Sequence, residues 1–63
     1  MKYSIVYRRK GSRRSYGDGF IYPDLEYAER IAGDMHLSGK YTMVKIVEHD
    51  SNKLVKQYSK SKQ

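Results

Sequence analysis

From Tyr3 to Arg9 the chain alternates, with Tyr3, Ile5 and Tyr7 on one face and Ser4, Val6 and Arg8 on the other. That is the period-two pattern of a strand. Between Lys10 and Gly19 stand Gly11, Ser12, Ser15, Gly17, Asp18 and Gly19. This density of turn formers suits a hairpin loop and predicts the least ordered stretch of the fold. Aromatic and β-branched residues predict a short strand at Gly19–Tyr22, closed by Pro23, which has no N–H to give a ladder. The period then changes: Leu25, Ala28, Ile31, Ala32 and Met35 recur at three- and four-residue spacing and form one apolar helical stripe. Asp24 is placed to cap that helix and Ser38-Gly39 to end it near Leu37, while Tyr27, Arg30 and Asp34 point away from the stripe. Gly33 lies inside the helix and weakens it by about 1 kcal/mol relative to alanine.

Tyr41–His49 carries the strongest strand signal, with Met43 and Val47 facing one way and Val44 and Ile46 the other. A strand apolar on both sides is central, or has its second face covered by another subunit or a partner. Asp50-Ser51-Asn52 reads as a tight reversal into a last strand, Lys53–Tyr58, with Leu54 and Tyr58 on one side and Val55 on the other. Residues 59–63 are expected to be a frayed tail. The element order β-β-α-β-β predicts an α+β fold in which 1–63 is a single domain. Its core would be a small antiparallel sheet of three to four strands, with one helix packed on one face and the other face open.

Composition narrows what such a domain can be. With 63 residues, 38% of them hydrophobic, and no cysteine, the core must come from aliphatics and tyrosines, without disulfides or a thiolate zinc site. A chain this short buries only about 60% of its unfolded surface. Marginal or partner-assisted stability follows, and a homodimer is one expectation. The apolar run after Met1 is too short for a signal peptide or a membrane span, so the expected setting is cytoplasmic, with no membrane partner.

Thirteen Lys and Arg against seven Asp and Glu give a formal charge of +6, which favours polyanions or an acidic protein surface. The charge is concentrated in Arg8, Arg9, Lys10, Arg13 and Arg14, five cations within seven residues, with Tyr7 and Tyr16 flanking them. Guanidinium groups reach phosphate oxygens bidentately and tyrosine rings offer faces for bases, so a basic hairpin of this kind could follow DNA or RNA. A solvated loop that keeps the protein soluble would look the same. On the double-sided strand, Tyr41, Met43 and Lys45 complete the candidate contact residues. The helix carries Asp24, Glu26, Glu29 and Asp34 against the single Arg30. That predicts an acidic helix layer over a basic layer of sheet and hairpin, although acids in a first turn also serve the helix alone. Seven tyrosines against one phenylalanine favour half-buried rings, and Tyr3, Tyr7, Tyr41 and Tyr58 fall on strands, where core packing is the ordinary role.

Catalytic patterns are missing. His36 sits at a helix C-terminus and His49 before a turn, and no motif surrounds either. There is no cysteine nucleophile, paired-carboxylate motif or metal-ligand spacing, so the expectation is a binding protein rather than an enzyme, with no cofactor and no metal. Gly17, Asp18 and Gly19 lack the following lysine and helix of a phosphate-binding loop.

The strand, Gly-rich loop, capped helix through Ala28-Glu29-Arg30-Ile31-Ala32 and strand through Met43-Val44-Lys45-Ile46-Val47-Glu48 together resemble, in layout, small phage-encoded proteins that disarm bacterial machinery. Some anti-CRISPR proteins and a phage inhibitor of bacterial RNA polymerase are similar in this respect. The resemblance covers most of the chain and implies a stoichiometric inhibitor that occludes a nucleic-acid-binding surface on a larger bacterial protein or nucleoprotein complex. It assigns no binding residue. Two expectations therefore stand, an inhibitor of a nucleic-acid-handling complex and, as the alternative, a basic nucleic-acid-binding module using the arginine hairpin. The double-sided strand tips the balance to the inhibitor, because nucleic acid does not ordinarily cover an apolar face.

Overall fold

Residues 2–59 are described by a computed structural model of the chain. It contains β1 (Tyr3–Arg9), β2 (Tyr16–Gly17), α1 (Leu25–Leu37), β3 (Tyr41–Glu48) and β4 (Leu54–Ser59). The strands form one antiparallel sheet in the order β2-β1-β3-β4, with α1 against one face, which is the expected α+β arrangement. Since β2 and β3 both run antiparallel to β1 and lie on either side of it, they run parallel to each other, and α1 is the crossover that joins them.

Register decides which side chains meet the helix. Ile5 lies opposite Ile46, Tyr7 opposite Val44, and Val44 opposite Tyr58. These residues share a face with the core of Ile5, Tyr22, Ala28, Ala32, Val44 and Ile46. Ala28 and Ala32 are fully buried, so the helix lies close on the sheet. Leu25, Ile31 and Met35 pack around them, as the stripe predicts. The helix ends also follow the sequence: Asp24 accepts a hydrogen bond from the Glu26 N–H at 3.2 Å, and Gly39, at φ +77°, turns the chain out beyond Leu37.

Three expectations are corrected. The second strand is not at Gly19–Tyr22 but at Tyr16–Gly17, and Tyr22 makes only an isolated bridge to Tyr3. Between them, Asp18 accepts the Phe20 N–H at 3.0 Å and Gly19 takes φ +85°, a side-chain turn that lifts the chain off the ladder. In β4 the faces differ from simple alternation. A register shift between Ile46 and Val47 places Leu54 opposite Val47 on the uncovered face, while Tyr58 stays opposite Val44 under the helix. Leu54 and Tyr58 therefore do not share a side. Of the tail expected at 59–63, Ser59 is the last residue of β4, and 60–63 lie outside the described residues.

The face away from the helix presents Ser4, Val6 and Arg8 from β1, Met43, Lys45 and Val47 from β3, and Leu54 and Gln57 from β4. The double-sided character read from Tyr41–His49 is therefore real. β3 is central, and Val47 is only 4% exposed although no helix covers it. Among the described residues no helix is long and apolar enough to cross a membrane.

Candidate functional site

The strand β1 ends in the basic segment, so the cations are carried to one end of the sheet. Lys10 N–H donates to the Lys40 carbonyl at 3.4 Å, which ties the start of the arginine loop to the chain just beyond the C-terminus of α1. Gly11 at φ +80° and a Ser12 N–H to Arg9 carbonyl bond of 3.1 Å begin the turn, and the Ser12 hydroxyl accepts the Arg14 N–H. Arg9, Lys10, Arg13 and Arg14 are all exposed there.

Aromatic rings gather at the same end on the helix side. Tyr16 pairs with Tyr7 across β1 and β2, and Tyr41 pairs with Arg9 across β1 and β3. The Tyr7 ring stands between the other two, 6.2 Å from Tyr16 at 39° and 5.0 Å from Tyr41 at 65°. Tyr7 and Tyr41 are half-buried against the core, while Tyr16 is 47% exposed because α1 does not extend over β2. Two adjoining surface depressions open here, one lined by Tyr7, Arg9, Ser12 and Tyr16 and the other by Arg9, Lys40 and Tyr41. Arg9 is the wall they share.

The candidate residues from the sequence thus divide between two faces. Tyr7, Arg9, Tyr16 and Tyr41 come together on the helix side, with Lys10, Arg13 and Arg14 on the adjoining loop. Arg8, Met43 and Lys45 belong to the uncovered face, where Arg8 lies directly opposite Met43. The Arg8 guanidinium is also the least free of the five: its Nη2 lies 3.5 Å from the Ser15 hydroxyl, and its Nε is buried with no hydrogen-bond partner. Arg8 is half-buried, whereas the other four are exposed.

Lys40 and Ser12 line these depressions but carry no sequence signal of their own. Lys40 is one polar residue after a helix terminator, and only the antiparallel pairing that sets Tyr41 beside Arg9 brings it to the site.

Charge separates along the strands more than between layers. Tyr3 lies opposite Glu48 and bridges to Tyr22, so Asp18, Asp24, Glu26, Glu48 and Asp50 collect towards that end with Lys2 and Lys53. The other end holds Arg8, Arg9, Lys10, Arg13, Arg14 and Lys40, and of the helix acids Asp34 is the one in the last turn. Acids at the start of α1 and cations beyond its end also complement the helix dipole.

A second cluster lies at the Tyr3 end. On the uncovered face the Ser4 hydroxyl and His49 Nδ1 are 2.9 Å apart. The nearby Asp18 carboxylate serves neither: one oxygen accepts the Phe20 N–H and the other the Tyr22 hydroxyl, so the imidazole has no carboxylate from Asp18 to orient it. Among the described residues no three His, Cys, Asp or Glu side chains meet as metal ligands.

No protein-family model, curated protein or solved structure matches the chain.

Proposed function

We propose that this chain is a non-enzymatic binding protein whose arginine end grips a nucleic-acid backbone. The observation that carries this reading is the coincidence, at one end of the sheet, of exposed Arg9, Lys10, Arg13 and Arg14 with the grouped rings of Tyr7, Tyr16 and Tyr41. Most of the acids stand at the opposite end, so a polyanion approaching the arginine end meets little opposing charge. Phosphate contacts release counterions, and affinity should fall steeply with salt. The test is binding of labelled nucleic acid at low salt. Arg9→Ala combined with Arg13→Ala should weaken it severely, and binding that is absent, or indifferent to that double substitution, ends the reading. We place this activity in the cytoplasm as part of the same proposal.

A second reading rests on a different surface. On the uncovered face Val6 and Met43 are half-buried around Lys45, and Leu54, 54% exposed, lies over the buried Val47, so apolar side chains are accessible there. Such a surface fits a protein partner, as an inhibitor of a bacterial nucleic-acid-handling complex would require, or a second copy of the chain. Affinity capture after nuclease treatment, comparing the native chain with Leu54→Lys, tests it. A stoichiometric partner that Leu54→Lys loses supports the inhibitor, whereas no partner and a monomer in sedimentation count against this surface.

A further inference from the structure

We infer that the arginine end takes single-stranded rather than duplex nucleic acid, two successive nucleotides lying astride Arg9; this rests on the backbone-binding reading and names the substrate of the same site. The first ground is the pair of depressions. One, about 360 Å³, has Tyr7, Tyr16 and Ser12 as its walls, and the other, about 340 Å³, has Tyr41 and Lys40. Arg9 belongs to both. Each depression therefore combines an aromatic ring with a cation, and the cation common to both is set where a phosphate linking two bases would lie.

The second ground is what a duplex could use. Paired bases hide their faces inside the stack, so exposed rings contribute little to a backbone-only contact, whereas unpaired bases stack on any aromatic face. Tyr16 is the most exposed of the three rings, and it lies beyond the cover of α1. Tyr7 and Tyr41 are held by the core and brace the platform from below. A platform fixed before binding spares the ligand the cost of ordering it.

The third ground is where the rings are not. Among the described residues, the strand positions of the uncovered face, from Ser4, Val6 and Arg8 across Met43, Lys45 and Val47 to Leu54 and Gln57, hold no aromatic side chain, and Phe20 reaches that face only beside Ser4 and His49, away from the arginines. The other exposed rings, Phe20 and Tyr27, group around Tyr22 at the opposite end beside the Asp18 carboxylate, where phosphate is repelled. A strand laid on the open face would have only Arg8 and Lys45 for its phosphates, and Arg8 is already partly engaged with Ser15.

The experiment is fluorescence anisotropy with labelled oligothymidylate and oligouridylate, and with a blunt DNA duplex of the same length, over a range of salt. Both single strands should bind about tenfold more tightly than the duplex, which corresponds to about 1.4 kcal/mol. Tyr16→Ala should weaken single-strand binding by about tenfold, within the range for one base–ring stack, and leave duplex binding unchanged, while Tyr16→Phe keeps the native affinity. Arg9→Ala should reduce the slope of log K against log salt by about 0.7, one phosphate's worth for a single strand. Equal binding of duplex and single strands by the native chain, or Tyr16→Ala weakening both alike, overturns the inference and leaves the backbone-binding reading standing. Failure of both single strands, the duplex and heparin to bind the native chain at low salt removes both.

Discussion

The Tyr7 ring meets the Tyr41 ring edge-on, with centroids 5.0 Å apart and planes at 65°. This contact joins β1 to the first residue of β3 at the end of the sheet where α1 stops, so the same pair closes the core and supports the candidate binding platform. Core and site are therefore not separable at Tyr7. Tyr7→Ala should lower stability by about 2–4 kcal/mol, from lost burial and the lost edge-to-face contact. Among the described residues the Tyr7 hydroxyl makes no hydrogen bond, and Tyr7→Phe should stay within about 0.5 kcal/mol of the native chain. Urea titration of the two variants decides it, and equal losses would show that the ring contact has been misread.

Gly33 gives a prediction of opposite sign. It lies in the interior of α1 with ordinary helical backbone, and a Cβ placed there would meet nothing within 4 Å. Alanine at that position lowers the entropy of the unfolded chain and adds no clash, so Gly33→Ala should stabilise by about 0.5–1 kcal/mol. A thermal melt that moves down instead would mean that the space around Gly33 is not open to a Cβ.

These two positions also show what the sequence made legible. The strand β1, the helix and β3 each repeat their period over seven residues or more, so the faces carrying Ile5, Ala28, Ala32, Val44 and Ile46 could be read directly. The two-residue strand β2 has no period to read. Its place is fixed by partners, Gly17 against Val6 and Tyr16 against Tyr7, and by the Asp18 turn that removes Phe20 and Ile21 from the ladder. The same holds for Leu54, whose face depends on one shift of register at Val47. The candidate site was legible as composition, arginines next to tyrosines. Alternation along β1 already set Arg8 on the face opposite Tyr7, but the grouping of Arg9 with Tyr16 and Tyr41 was not legible, because it depends on where β2 pairs and on the irregularity between Arg8 and Arg9.

Tight packing of α1 on the sheet can be tested at Ala32. Its side chain is fully buried in the core with Ile5, Ala28, Val44 and Ile46, so a larger side chain must displace its neighbours. Ala32→Leu should cost about 1–3 kcal/mol through overpacking, while leaving the arginine end exposed and competent to bind. Denaturant unfolding gives the first quantity. Near-native oligothymidylate affinity in the folded variant would separate the platform from the helix packing.

Tyr22 supplies a pH dependence. The residue is 6% exposed, and its hydroxyl donates to the Asp18 carboxylate. Burial first, and then the hydrogen bond and charge of Asp18, push its pKa well above the ordinary tyrosine value, with a smaller contribution from Tyr27. The native state therefore keeps this proton at a pH where the unfolded chain gives it up. The contribution to stability is complete below about pH 10, the ordinary value for an unfolded tyrosine, and is lost progressively as pH rises towards the native pKa. Tyr22→Phe lacks the hydroxyl and its bond to a charged acceptor, and near neutrality it should be less stable than the native chain by about 1.5–3 kcal/mol. That deficit should shrink as the pH is taken from about 8 to about 11, because only the native chain then loses the Tyr22 contribution. Unfolding midpoints of both proteins at the two pH values measure the gap, with the other tyrosines and the lysines common to both. A gap that stays constant or widens would mean that the Tyr22 proton is not held by Asp18 and burial.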